Sequence, residues 1–223
     1  MYGSAVLSAW RAAAPEWDAY TRHAFVEGLG DGTLPREAFL HYLVQDYVFL
    51  IHFSRAWALG VVKSGSLDEM KACAATVDAL VNTEMRLHIE TCAGEGIAEA
   101  ELYAATESKA NLAYTRYVMD AGLSGDFLDL MAALAPCVFG YGEIGARLGA
   151  EAGETPYHPW IDTYAGAEYQ GLCQDVAVMV QQAAEDRLGA DPTASPRWPA
   201  LCQRFAMATA LEVDFWQMGL DRS

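Results

Sequence analysis

The chain has few basic residues. Fourteen Lys and Arg stand against 30 Asp and Glu, for a formal net charge of -16. Binding to nucleic acid and to anionic membranes is driven by Lys and Arg, so the charge argues against both partner classes. Long apolar runs are also missing. Hydrophobic residues make up 53% of the chain, yet each apolar stretch is interrupted within a turn or two by Arg, Asp, Glu or His. No run of about 20 apolar residues suggests a membrane span. The opening MYGSAVLSAWRAAAPEW lacks the basic start and long apolar region of a secretory signal. There is no CxxC and no Cys/His cluster. The five cysteines, Cys73, Cys92, Cys137, Cys173 and Cys202, are widely spaced and odd in number. This reads as reduced thiols in a cytoplasmic protein rather than a disulfide framework or a zinc site. GxGxxG, Walker and GxSxG motifs are absent, as are strand alternation, repeats and low-complexity segments.

What is present is helix. Apolar residues in FLHYLVQDYVFLIHFSRAWAL, Phe39 to Leu59, recur at three- and four-residue steps. Helices are expected over about 4–30, 34–63, 67–93, 99–121, 124–148, 160–188 and 197–220. GLGDG ends the first, and Thr33 and Pro35 open the second. KSGS breaks the second from the third, which Ser66 and Glu69 open as a capping box. Pro136 should kink or split the fifth. Ser195-Pro196 reads as the cap and first residue of the last. The 223 residues suit one large domain or two small ones. The short links favour one all-helical domain.

Three residues stand out against this background. Asp46 shares a helix wall with Phe49, Leu50 and Phe53. A buried carboxylate needs a partner, so Asp46 either has a structural one, such as an Arg or a backbone donor, or faces a ligand. Cys137 directly follows Pro136 and shares a face with Tyr141 and Ile144. A lone cysteine is usually a small core residue, whereas a nucleophilic one needs surroundings that favour thiolate. Glu212 interrupts the stripe of Phe205, Ala208, Phe215 and Gly219, and either pairs with an Arg, such as Arg116 or Arg55, or joins a polar pocket. Glu84 and His88 form an i, i+4 pair. A bundle di-iron site needs Glu-x-x-His twice, and no second copy exists, so a helix-face hydrogen bond is the simpler reading. Tyr114, Tyr117, Tyr164 and Tyr169 are core residues or the lining of a site that stacks a flat ring.

Four segments, GDGTLPREAFLHYLVQDYVFL with FSRAWAL, LAYTRYVMD, LAPCVFGYGEIG and ALEVDFWQM, resemble in order the motifs of the TenA proteins, also called thiaminase II or aminopyrimidine aminohydrolases. The resemblance covers nearly the whole chain. It implies a haem-oxygenase-like helical bundle without haem, usually a homotetramer, that needs no metal or other cofactor. It also implies roles for individual residues. Cys137 matches the nucleophile of the cysteine-bearing branch and Glu212 the acid/base carboxylate. Asp46 matches the aspartate that binds the pyrimidine amino group and ring nitrogen. Tyr114, Tyr141, Tyr164 and Phe215 match aromatic positions around the ring. Phe49 stands where many members carry a tyrosine, which keeps stacking and loses a hydroxyl contact.

The activity implied by the resemblance is hydrolysis of 4-amino-5-aminomethyl-2-methylpyrimidine, and more weakly of thiamin, to the hydroxymethylpyrimidine. The thiolate adds to the ring and the carboxylic acid serves the ring nitrogen. Two alternatives are a metal-dependent oxidase using Glu84 and His88, and a pyrimidine-binding regulatory protein without turnover.

Overall fold

A computed structural model describes all 223 residues and contains helices but no strand. The helices are α1 (Ala5–Ala12), α2 (Trp17–Thr21), α3 (Ala24–Asp31), α4 (Arg36–Lys63), α5 (Leu67–Ala79), α6 (Met85–Gly94), α7 (Glu99–Tyr103), α8 (Lys109–Ser124), α9 (Phe127–Glu151), α10 (His158–Ala165), α11 (Ala167–Leu188) and α12 (Trp198–Asp221). A π turn, Leu80–Glu84, joins α5 to α6, and a 3-10 turn, Pro192–Ala194, precedes α12. One continuous apolar cluster draws on nearly every helix, so the haem-oxygenase-like bundle is a single domain.

The bundle is built around α9. Asp126 opens it by accepting from the N–H groups of Leu128 and Asp129, while the Asp129 carboxylate accepts from the Asp126 N–H, a reciprocal cap. The helix then passes through Pro136 without splitting. It packs against α12, α10, α8, α11 and α4. Its length and apolarity alone match a membrane span, unlike any stretch expected from the sequence, but 83% of that window is buried in the bundle. Two glycines permit its closest neighbours. A Cβ on Gly140 would meet the Tyr20 ring at 2.0 Å, and one on Gly145 would meet the Tyr164 backbone carbonyl carbon at 2.4 Å. Gly145 therefore lets α10 approach closely enough to bring Tyr164 to the centre.

Several expected helices are divided. The segment 4–30 becomes α1, α2 and α3. Pro15 lies in the first break, and the His23 ring caps α3 by accepting from the Phe25 N–H. Gly32, at φ +76°, ends α3 as the glycines suggested. Thr33 does not cap α4; its hydroxyl binds Asp31, and Pro35 occupies the cap position. The segment 99–121 divides into α7 and α8, with Ser108 capping the second. The segment 160–188 divides at Gly166, whose backbone is extended. At the start of α5, Ser66 accepts from the Glu69 N–H, but the Glu69 carboxylate turns to the Gly65 N–H and Arg187. That ion pair ties α5 to α11 and holds the wall carrying the π turn.

Candidate active site

α4, α9, α11 and the α5–π-turn segment enclose a cavity of about 20 Å³ lined by Asp46, Phe49, Leu50, Phe53, Thr76, Leu80, Glu84, Cys137, Val138, Tyr141, Tyr169 and Leu172. Between Leu130 and Gly142 every residue is buried except Cys137, which is partly open. The residue after the proline is thus the one partly accessible position in the middle of a core helix. A cleft of about 470 Å³ lies outside and shares Thr76, Leu80, Glu84, Tyr169 and Leu172 with the cavity wall.

Asp46 is 3% exposed and has a structural partner as well as a place in the cavity. The partner is neither an Arg nor a backbone donor. His88 Nε2 lies 2.6 Å from Asp46 Oδ2, and the Tyr42 hydroxyl donates to the same oxygen at 3.1 Å. The other His88 nitrogen, Nδ1, lies 2.9 Å from the Glu84 backbone oxygen. The expected Glu84–His88 bond thus forms through the backbone carbonyl, and both ring nitrogens face protein groups. Although burial opposes the charge on His88, the bond to Asp46 and the nearby acidic groups raise its pKa to about 9. Trp160 Nε1 donates to the Tyr42 oxygen at 3.3 Å, and the Tyr141 hydroxyl lies 3.3 Å from it. Both bonds to Asp46 converge on Oδ2, which leaves Oδ1 for the cavity.

Glu212 is 1% exposed and has no cation beside it. The Tyr114 hydroxyl donates to its Oε1 at 2.8 Å, while the nearby Tyr20 hydroxyl donates to the Pro136 backbone oxygen at 3.3 Å. Neither arginine considered from the sequence reaches it. Arg116 pairs with Glu107, and Arg55 lies on the surface beside His52. Burial pushes the Glu212 carboxyl up to about 8, so at neutral pH it mostly carries a proton. Burial, then Glu212, Glu84 and Asp46, also raise the Cys137 thiol well above its usual range. These surroundings do not favour the thiolate that a nucleophilic cysteine was read to need, and they hold Cys137 as a thiol.

The aromatic positions form two layers. Tyr141 lines the cavity with Phe49. Tyr114 and Phe215 do not line it; their rings back Phe49 at centroid distances of 5.1 and 5.4 Å. The Tyr164 ring packs edge-on against Tyr141 at 4.9 Å, and its hydroxyl donates to Glu84 Oε1 at 2.8 Å. The Tyr169 hydroxyl donates to the Val138 oxygen, and Tyr117 bonds the Arg204 oxygen outside the cavity. Reading the sequence missed Tyr42 and considered Glu84 only with His88, as a hydrogen-bonded pair or as metal ligands. Tyr42 stands four residues before Asp46, a spacing that could have revealed it; Glu84 had only its place beside His88. No group of three or more His, Cys, Asp or Glu side chains is close enough together to hold a metal ion.

A sequence model of the TENA/THI-4/PQQC family matches residues 10–222. An aminopyrimidine aminohydrolase of Halalkalibacterium halodurans is 34% identical, with 96% of this chain and 95% of that protein covered. One of Bacillus subtilis is 32% identical, with 93% and 86% covered. A crystal structure of a protein named as a TenA family transcription regulator, from Silicibacter sp. TM1040, is 63% identical and matches 97% of each chain at a TM-score of 0.96. With the family model matching almost end to end and the fold shared with a solved member, the chain belongs to the TENA/THI-4/PQQC family.

Proposed function

We propose that the protein is an aminopyrimidine aminohydrolase of thiamin salvage, converting 4-amino-5-aminomethyl-2-methylpyrimidine to its hydroxymethyl counterpart, with weaker action on thiamin. The observation that carries this reading is the cavity that brings the Cys137 thiol together with Asp46 and the rings of Phe49 and Tyr141, with the buried Glu212 carboxyl close enough to raise the thiol's pKa. The aminohydrolase names of the Halalkalibacterium and Bacillus relatives support it.

In this mechanism Asp46 Oδ1 accepts from the ring's amino group and orients the ring. Phe49 and Tyr141 flank the ring, with Tyr114, Phe215 and Tyr164 behind them. The Cys137 sulfur adds to a ring carbon. Its proton passes to one Glu212 oxygen while the proton on the other passes to a ring nitrogen, so no free thiolate has to form in a site that disfavours it. The adduct's electrons then expel the amine from the exocyclic carbon and leave a methylene. Water adds there, and sulfur departs as the ring regains its aromaticity and returns its proton.

A volume of 20 Å³ holds about one water. Ring entry therefore requires Leu80, Leu172 or Tyr169 to yield, which merges the cavity with the larger cleft. The reading includes a cytoplasmic homotetramer, which sedimentation of the purified protein would test. The regulatory role in the name of the Silicibacter protein finds no support in a net charge of -16.

The functional test incubates the protein with the aminomethyl pyrimidine and with thiamin. Release of ammonia with formation of hydroxymethylpyrimidine, faster than thiamin cleavage, is expected. Tight pyrimidine binding without release of either product overturns the hydrolase reading.

A further inference from the structure

The reaction proposed above moves protons at two ends of the substrate. Cys137 and Glu212 serve the ring. The leaving amine also needs a proton, because an amide anion is too poor a leaving group to depart.

Glu84 is the one carboxyl that borders both the enclosed cavity and the outer cleft. The π turn Leu80–Glu84 places it there. The wider turn inserts an extra residue into the α5–α6 run and re-aims the side chain, a distortion frequent at functional sites. The Tyr164 hydroxyl fixes its Oε1 at 2.8 Å. Burial raises its pKa; His88 and the Tyr164 bond oppose that shift and Asp46 adds to it. The cleft beyond is lined by Glu84, Glu168 and Asp175 and by no Lys, Arg or His, so no fixed cation opposes ammonia that takes a further proton from water on its way out.

Resting on the hydrolase reading, we infer that Glu84 is the catalytic acid for the leaving group, supplying the proton with which the amine departs as ammonia. As the C–N bond breaks, its electron pair stays on nitrogen and takes the Glu84 proton. The ring adduct supplies the electrons that form the exocyclic methylene. Glu84 is left as a carboxylate at the seam through which water enters, and it takes back a proton when that water adds to the methylene. A substrate bound as its ammonium form shares the same single proton with the Glu84 carboxylate, so the count is unchanged.

The test compares leaving groups in a single turnover. Glu84→Gln keeps an acceptor for the Tyr164 hydroxyl but has no acidic proton. Ammonia release from the aminomethyl pyrimidine should fall by about 100-fold or more. Release of thiazole from thiamin, or of pyridine from the analogue carrying pyridinium in place of thiazolium, should stay within about five-fold, because those groups leave as neutral bases. Glu84→Asp, which retains an acid at a shorter reach, should show the same selectivity with a smaller loss and serves if the glutamine variant does not fold. Equal losses on both kinds of substrate, or no loss on either, overturn the inference while leaving the hydrolase reading intact. A parent protein that releases neither kind of leaving group rejects the hydrolase reading itself.

Discussion

Asp46 and Glu212 are buried to the same depth, 3% and 1% exposed, and their surroundings give them opposite chemistry. Asp46 forms an ion pair with His88, whose pKa is raised to about 9. Glu212 has the neutral Tyr114 hydroxyl and no cation, and its pKa rises to about 8. Burial penalises both charges; a partner that brings the opposite charge offsets that penalty, and a hydroxyl does so only in part. One side of the cavity therefore offers an anion that orients a ring, and the other an acid that moves a proton. A difference in partners, with no difference in depth, divides binding from chemistry.

The largest test removes the sulfur on which the acid side acts. Cys137→Ser should fold as the parent by circular dichroism and lose on the order of 10³-fold or more in turnover. A folded variant that keeps a tenth of the parent rate contradicts covalent catalysis. Glu212→Gln comes next, with an expected loss of about 10² to 10³-fold. In the parent, kcat/KM should fall as pH rises through about 8, the point at which the Glu212 acid ionises, and this limb should be absent from the glutamine variant. The same limb in both proteins assigns it to another group. On the other side, Asp46→Asn should raise KM and lower the rate by roughly ten-fold, through loss of a charged acceptor. Unchanged kinetics would return Asp46 to a purely structural role.

The smallest effect is on stability. The His88 pKa lies above its unfolded value, so the pair with Asp46 contributes fully below about pH 6.5, and that contribution is lost as pH rises through about 9. The shift corresponds to an order of 3 kcal/mol. The melting temperature of the parent should therefore drop more between pH 7 and pH 10 than that of His88→Gln. Parallel curves would show that the pair adds nothing to folding.

Much of this was legible in the sequence. Asp46, Cys137 and Glu212 could be singled out because each places a polar group within an apolar helical face, and the resemblance supplied roles for them. Partners were not legible. His88 lies 42 residues from Asp46, and Tyr114 lies 98 from Glu212; nothing local records either approach. Depth was equally hidden. Helical spacing assigns Phe215 and Tyr114 to a face, but only packing puts Phe49 between them and the cavity. Local chemistry also outweighed periodicity in the backbone. Gly166 divided a run that looked continuous, while Pro136 left α9 whole among helices that pack around it. The π turn carrying Glu84 has no sequence signature that distinguishes it from the α-helices on either side.

The central claim is that Glu212 is a carboxylic acid at neutral pH because no cation stands beside it. Infrared difference spectroscopy of the parent against Glu212→Gln reads this directly. The account predicts a protonated-carboxyl C=O band at pH 6 that is assigned to Glu212 by its absence from the variant and disappears with a midpoint near pH 8. A Glu212 carboxylate signal already present at pH 6, with titration near the ordinary value of about 4.3, would contradict it.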